Sequence, residues 1–146
     1  MQTTFRLLMI QPVQFGYNPQ TAVNNAFQNA SEHNLQEEAL AAFRHFVDML
    51  RSHHLHVTVI EDTLDPSTPD SIFPNNWISF HEDDSIILYP MFAPNRQLER
   101  KQHVLDIIHQ QFRVTQVHDL THFEKEGLYL EGTGSMVLDR VNRIAY

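Results

Sequence analysis

The chain has 146 residues, of which 42% are hydrophobic and 19% are charged, and its formal net charge is −8. This length and composition are typical of one globular domain and exclude a disordered chain. The acidic balance disfavours nucleic acid and anionic membranes as partners, and the absence of cysteine excludes disulfides and a thiol nucleophile on these residues.

The N-terminal half is predicted to place one long helix between two short strands. Hydrophobic spacing gives, in chain order, strand Phe5–Ile10, loop Gln11–Ala30, amphipathic helix Leu35–Ser52, strand Leu55–Ile60 and loop Glu61–Asp70. Ser31 or Asn34 is the expected N-cap of the helix. The apolar run Leu7–Ile10 is too short for a signal sequence or a membrane span, so we expect a cytoplasmic protein.

The second half continues the alternation of strands and helices. The predicted elements are a hairpin of Trp77–Phe80 and Ser85–Tyr89, a helix from Pro94 or Asn95 to about Gln110 with Leu98, Val104, Leu105 and Ile108 inside, strand Phe112–Val117, loop His118–Gly127, and strands over Leu128–Tyr146 around a glycine-rich corner. This order predicts an α/β or α+β fold.

The sequence repeats itself weakly with a period near 58. Leu55–Asp62 matches Phe112–Asp119, and Pro74–Phe80 matches Gly132–Leu138. The chain holds about two and a half such units, and we therefore expect it to be the N-terminal half of a longer protein. The predicted organisation is one incomplete domain over residues 1–146, with modules at roughly 1–30, 31–90 and 91–146.

Ten histidines raise the question of a metal site. His53, His54 and His56 span a helix end and a strand start, and His118 and His122 lie in a predicted loop. The first group has no carboxylate or cysteine at clear ligand spacing. The second group includes Asp119, but an i,i+4 spacing loses its helical meaning in a loop, so neither metal nor cofactor is predicted. Histidine at a helix C-terminus is also explained by the helix dipole.

Polar side chains follow the loops at equivalent places in two repeats. Asp70 precedes Asn75 and Asn76, and Glu131 occupies the corresponding loop one repeat later. These residues either form ordinary turns, with Trp77 in the core, or line a ligand site at the mouths of two strands.

Three cations cluster where the second helix is predicted to begin. Arg96, Arg100 and Lys101 lie in a position that the helix dipole disfavours. Either one of them binds a carboxylate ligand, or the group is a solvated face on which Glu99 pairs with its neighbours.

Three longer strings identify a family. They are FPNNWISF at Phe73–Phe80, ILYPMFAPNRQLER at Ile87–Arg100 and YLEGTGSM at Tyr129–Met136. Together they resemble the arginine deiminase-related, amidinotransferase-like branch of the pentein superfamily, which includes citrulline-utilisation hydrolases and is similar to dimethylarginine dimethylaminohydrolases. The resemblance implies a β/α propeller of five ββαβ modules around a central site.

The resemblance also implies a chemistry and the residues for it. In the family a cysteine attacks the carbon of a guanidino or ureido group, and a histidine serves as acid and base. Both have no match here. Glu131 matches the acid that orients the histidine; the residues implied to bind substrate are Asp70, Asn75, Asn76 and Arg96.

Two functions follow as alternatives. The chain is either the N-terminal part of a C–N hydrolase or amidinotransferase-like enzyme for citrulline-type or arginine-type amino acids, or a non-catalytic truncated pentein that binds ligands or partners. The expected partners are a small guanidino or ureido amino acid, the missing C-terminal half in the same or a second chain, and a second copy in a homo-oligomer. Side-chain amides at Asn75 and Asn76 favour a neutral ureido group over a cationic guanidinium.

Overall fold

The computed structural model describes residues 3–23 and 35–146. Its elements are β1 (Arg6–Gln11), α1 (Pro19–Ala22), α2 (Leu35–Ser52), β2 (His56–Glu61), a 3₁₀ helix (Pro74–Asn76), β3 (Ile78–Phe80), β4 (Ser85–Leu88), α3 (Pro94–Gln97), α4 (Gln102–Gln111), β5 (Gln116–Asp119), a second 3₁₀ helix (Thr121–Glu126), α5 (Gly132–Ser135), β6 (Leu138–Asp139) and β7 (Ile144–Ala145). The predicted mixture of helices and strands is confirmed. None of these helices is long and apolar enough to cross a membrane.

The chain divides into two compact units. The N-terminal unit comprises Phe5–Phe73 and Ala93–Glu99. The C-terminal unit comprises Pro74–Phe92 and Arg100–Tyr146, together with residues 3 and 4.

The N-terminal unit is built on one βαβ crossover. Strands β1 and β2 are parallel and pair from Arg6↔His56 to Gln11↔Glu61, with α2 as the connection. Two parallel strands need a long connection, because the chain must return to the end of the sheet where the first strand began. Ile10, Ile60 and Val47 are buried in this unit.

The C-terminal unit contains a complete ββαβ arrangement. Strands β3 and β4 form an antiparallel hairpin, α4 follows, and β5 returns parallel to β4. Two strands of a second hairpin, β6 and β7, come after it. The large buried side chains of the unit are Trp77, Ile86, Met91, Val104 and Ile108. The hairpin β3–β4 and the strand β5 that follows α4 thus belong to one sheet. The predicted module boundary near residue 90 lies between the hairpin and α4, and the division into modules stays a prediction.

The predicted helix from Pro94 or Asn95 to Gln110 is wrong as a single element. It is two helices, α3 and α4, because Lys101 adopts extended backbone angles (φ −65°, ψ 144°) that end the helical path. Leu98, predicted to lie inside, is 50% exposed, while Val104 and Ile108 are buried as predicted.

Other differences are local. The predicted loop Gln11–Ala30 contains α1, which begins where the Asn18 side chain caps it by accepting from the Gln20 N–H at 3.1 Å. The strand predicted at Phe112–Val117 is displaced to Gln116–Asp119, and a 3₁₀ helix occupies most of the following loop. The predicted strand corner at Gly132–Ser135 is the helical turn α5. The proposed caps Ser31 and Asn34 lie outside the described residues.

Candidate functional site

The pair Asn75–Asn76 stands on a short 3₁₀ helix in the C-terminal unit. Buried Pro74 opens the turn, and its carbonyl oxygen accepts the Trp77 N–H at 3.0 Å. Trp77 is 1% exposed and anchors the other end of the turn. The turn thus holds its two amides at the surface, with Asn75 exposed and Asn76 half-buried.

The turn α5 lies against this 3₁₀ helix because residue 132 is glycine. A Cβ atom there would stand 2.5 Å from the Asn75 carbonyl oxygen and 3.2 Å from the Tyr89 ring. No real side chain tolerates that approach to a backbone oxygen. Glu131, the residue before this glycine, is half-buried and its carbonyl oxygen accepts the Ser135 N–H at 2.9 Å, so the turn fixes its backbone.

Hydrogen bonds set the orientation of both side-chain amides. The Thr133 hydroxyl donates to the Asn75 carbonyl oxygen at 3.3 Å, so its oxygen accepts from Asn75 Nδ2. A carboxylate only accepts, so Asn76 Nδ2 is the atom that faces Glu131 Oε2, at 3.4 Å. Among the described residues the Asn75 Oδ1 atom has no partner, and Asn76 Oδ1 accepts from Asn75 Nδ2 at 3.3 Å.

We call Asn75, Asn76, Glu131 and Thr133 the amide–carboxylate cluster. Its carboxylate is held at both oxygens, because the Phe92 N–H donates to Glu131 Oε1 at 3.2 Å and Asn76 contacts Oε2. The cluster presents amide oxygens and one carboxylate at a half-exposed surface. Such a surface suits a planar group that is rich in N–H donors.

Asp70 lies in the N-terminal unit and is buried. Its Oδ2 atom accepts from Asn18 Nδ2 at 2.7 Å and from the Thr21 hydroxyl at 2.8 Å. Asn18 is fully buried and also exchanges hydrogen bonds with Asn95, the shorter at 2.7 Å. The carboxylate thus ties the start of α1 to the loop before Phe73.

Arg96 also lies in the N-terminal unit and is 6% exposed. Its guanidinium binds both Glu99 oxygens, at 2.9 and 3.1 Å, and donates to the Phe73 carbonyl oxygen at 3.1 Å. Burial raises the pKa of Glu99 to about 7, with Asp70 and Asp62 adding to the rise and Arg96 opposing it. Arg96 and Lys101 are buried and Arg100 is half-buried, so the three cations do not form a solvated face, and Glu99 pairs with Arg96.

The five residues predicted for the site thus fall into two clusters, one in each unit. Asn75, Asn76 and Glu131 come together at a surface, whereas Asp70 and Arg96 are buried and bind internal partners. Sequence reasoning missed Thr133, although it lies 58 residues after Asn75 in the repeat. It also missed Asn18, for which no local pattern gave a signal.

Comparison with solved structures shows the fold. Unliganded AgrE superimposes with a TM-score of 0.69 at 22% identity over 96% of this chain and 19% of that chain. An AgrE variant with a cysteine replaced by alanine, in complex with L-arginine, gives 0.66 at 22% identity over the same shares. The N-terminal domain of ArgZ, covalently bonded to a reaction intermediate, gives 0.68 at 19% identity over 96% of this chain and 47% of that chain.

ArgZ is described as an arginine dihydrolase from the ornithine–ammonia cycle in cyanobacteria. By the shares covered, the present chain spans about half the length of the ArgZ N-terminal domain and about a fifth of the length of AgrE. No curated protein gave a significant sequence match. The model of the family N,N dimethylarginine dimethylhydrolase, eukaryotic, matches residues 11–146, which is nearly the whole sequence. The chain belongs to this pentein-type family.

Proposed function

We propose that this chain forms the N-terminal part of a hydrolase that cleaves a C–N bond in guanidino or ureido amino acids. The observation that carries the proposal is the amide–carboxylate cluster, in which Asn75, Asn76 and Glu131 meet at one accessible surface. The crystal structures of arginine-bound AgrE and of ArgZ with a reaction intermediate support the same substrate class.

The cluster is suited to the NH₂ end of such a substrate. Guanidinium and ureido groups both carry NH₂ donors, and the Oδ1 atoms of Asn75 and Asn76 are acceptors. What separates the two groups is charge, because a guanidinium is a cation and a ureido group is neutral. Asn75 and Asn76 add no charge to balance a desolvated cation, and we assign the one carboxylate of the cluster, Glu131, to a catalytic histidine. We therefore propose a preference for a ureido group such as that of citrulline over arginine.

Glu131 is the residue that we propose to orient a catalytic histidine. A carboxylate that accepts a histidine N–H fixes the ring and stabilises its protonated form. The nucleophile cannot lie on this chain, which has no cysteine. A thiolate from a segment outside these 146 residues would attack the central carbon, and the tetrahedral adduct would lose the amine as the histidine protonates it. Water, deprotonated by the same histidine, would then attack the carbon of the S-bound intermediate, break the S–C bond and release the product and the thiolate.

The two buried residues of the N-terminal unit have a different proposed part. Asp70 and Arg96 use their charged atoms on internal partners, at 2.7 Å to Asn18 and 2.9 Å to Glu99. A substrate carboxylate would reach Arg96 only by displacing Glu99. We therefore propose that both residues shape the loop up to Phe73, and that substrate contact by Arg96 requires Glu99 to release it.

The architecture proposed for the full protein is a pentein propeller of ββαβ modules. The β3–β4–α4–β5 arrangement supports it, since it has the strand pairing of one such module. The cysteine-bearing modules would follow in the same chain or in a second one.

Substrate turnover tests the proposed function. The protein isolated from its source cells, with any polypeptide that copurifies, is incubated with citrulline, arginine and dimethylarginine, and the released amine or ammonia is measured. We expect turnover, with the highest kcat/KM for citrulline, and a loss of about 100-fold in kcat for Glu131→Gln. Arginine as the clearly preferred substrate would contradict the ureido preference, and turnover unaffected by Glu131→Gln would contradict the role of the cluster.

The absence of cysteine favours a second candidate, a ligand-binding module without catalysis. Three results together would replace the hydrolase proposal by this one. The isolated protein would bind citrulline saturably, it would form no product after prolonged incubation, and intact mass spectrometry would find no copurifying polypeptide that contains cysteine.

A further inference from the structure

Within the C-terminal unit, the segment Tyr89–Phe92 is held by its backbone. We call it the strap. The Tyr89 carbonyl oxygen accepts from Arg100 Nη1 at 3.3 Å, and the Pro90 carbonyl oxygen accepts from the Leu130 N–H at 3.1 Å. The next two amides donate to carboxylates. Four polar backbone groups, from the Tyr89 carbonyl to the Phe92 N–H, thus hold the strap.

Arg100 and Glu124 form the ion pair behind the strap. The guanidinium Nη2 lies 2.7 and 2.9 Å from the two carboxylate oxygens, and the side chains are only 12% and 13% exposed. Glu124 Oε1 also accepts the Met91 N–H at 2.9 Å. Each partner therefore binds the strap directly. Charge-assisted bonds in a water-poor place are stronger and more directional than neutral ones.

The strap connects this pair to the candidate catalytic carboxylate. The amide of Met91 donates to Glu124, and the amide of the next residue, Phe92, donates to Glu131 Oε1 at 3.2 Å. Two adjacent peptide units, Pro90–Met91 and Met91–Phe92, therefore each donate to a different carboxylate. With Oε1 occupied, Oε2 of Glu131 is the oxygen that faces Asn76.

We propose that Arg100 and Glu124 are positioning residues for Glu131. They fix the Tyr89–Pro90 and Pro90–Met91 peptides and thereby the adjoining Met91–Phe92 peptide, whose N–H fixes Glu131 Oε1 and leaves Oε2 directed into the amide–carboxylate cluster. This inference rests on the proposed function of Glu131. Neither residue contacts Asn75 or Asn76 through any hydrogen bond among the described residues, so their effect on the cluster passes through the strap.

Two variants and a matched control test the proposal in the active protein. Glu124→Gln keeps an oxygen acceptor for the Met91 N–H but loses the charge that holds Arg100. Arg100→Lys leaves one nitrogen in place of the two that bind the Tyr89 carbonyl oxygen and the Glu124 carboxylate. The control is Asp84→Asn, which breaks the exposed Arg113–Asp84 pair of the same unit, whose side chains are 79% and 37% exposed. Asparagine suits the positive φ of 62° at this position, so the control should fold normally.

The expected result is a fall of about 10-fold in kcat for Glu124→Gln and Arg100→Lys with KM within about twofold, and no change for the control. The ¹H–¹⁵N resonances of the Phe92 amide and the Asn76 side chain should shift in both variants and stay in place in the control. In a Glu131→Gln background, the added variant should cost less than about twofold, because the group it positions is gone.

Two results would overturn the proposal. In the first, both variants leave kcat and the two resonances unchanged. The other is a full 10-fold loss that persists in the Glu131→Gln background, since Arg100 and Glu124 would then act by another route. Failure of the proposed function looks different: Glu131→Gln itself would leave kcat unchanged, while the Phe92 resonance would still report whether the ion pair fixes the strap.

Discussion

The two units of the chain each hold a cluster of polar side chains, and the clusters differ in accessibility. In the N-terminal unit, Asp70, Arg96 and Glu99 are between 4% and 6% exposed. Asp70 accepts from Asn18, and Arg96 and Glu99 bind each other. In the C-terminal unit, Asn75 is exposed and Glu131 is half-buried. Buried polar groups must satisfy themselves, so they fix architecture, whereas half-exposed groups keep capacity for a ligand.

The largest expected effect compares one ion pair from each unit. Arg96→Met leaves Glu99 buried beside Asp70 without its guanidinium and should lower the free energy of unfolding by about 3–5 kcal/mol. The matched change Arg113→Met breaks a pair whose side chains are 79% and 37% exposed and should cost at most about 0.5 kcal/mol. Urea unfolding at pH 8 measures both. Equal effects would contradict the structural role given to the buried Arg96–Glu99 pair.

Glu99 should make the free energy of unfolding of the N-terminal unit depend on pH. Its pKa is raised from 4.5 to about 7 by burial, so between these values the unfolded chain loses the proton while the folded chain keeps it. Stability from this group therefore falls as pH rises from 4.5 to 7, by up to about 3 kcal/mol. Glu99→Gln should lose less stability, relative to the parent, at pH 7.5 than at pH 5. The reverse order in urea midpoints would show that the ionised form is favoured.

A glycine from each unit sharpens the contrast in packing. Gly132→Ala places a Cβ 2.5 Å from the Asn75 carbonyl oxygen and should cost about 1–3 kcal/mol. Gly16→Ala in the N-terminal unit meets nothing within 4 Å and should be neutral or stabilising by about 0.4–1 kcal/mol. Thermal unfolding distinguishes them. A neutral Gly132→Ala would mean that α5 is not held against the 3₁₀ helix.

The smallest effect is a pH dependence of opposite sign in the C-terminal unit. Partial burial lowers the pKa of His81, Arg140 and His118 lower it further, and Asp83 opposes them. Because the folded value lies below 6.5, this histidine contributes stability above pH 6.5 that is lost as pH falls through the folded value. The parent should lose more stability than His81→Gln between pH 7.5 and pH 5.5. A histidine ring resonance of His81 titrating above 6.5 would contradict this sign.

Local pattern predicted the regular elements well. The helix Leu35–Ser52 and the strands near Arg6–Gln11 and His56–Glu61 agree with the structure, since apolar periodicity encodes them within a few residues. The break before α4 was missed, because the hydrophobic spacing continues across Lys101 while its backbone does not.

Only part of the candidate site was accessible to sequence reasoning. The repeat near 58 residues aligned the loop of Glu131 with the loop of Asn75 and Asn76, and the structure brings Glu131 and Asn76 together. The contact of Asn18 with Asp70 joins residues 52 positions apart, with no repeat to signal it. Burial of Arg96 was also hidden, because a cation at a helix start looks the same in sequence whether it faces solvent or a carboxylate.

We propose that ligand binds at the amide–carboxylate cluster and not among the buried polar groups of the N-terminal unit. The direct measurement is an NMR titration of the ¹⁵N-labelled 146-residue chain with citrulline, following the side-chain NH₂ resonances of Asn75 and Asn76 against those of Asn18 and Asn95. We expect saturable shifts for Asn75 and Asn76 and none for Asn18 and Asn95, with a smaller response to arginine at equal concentration. Shifts confined to Asn18 and Asn95, or no shift at any of the four, would contradict it.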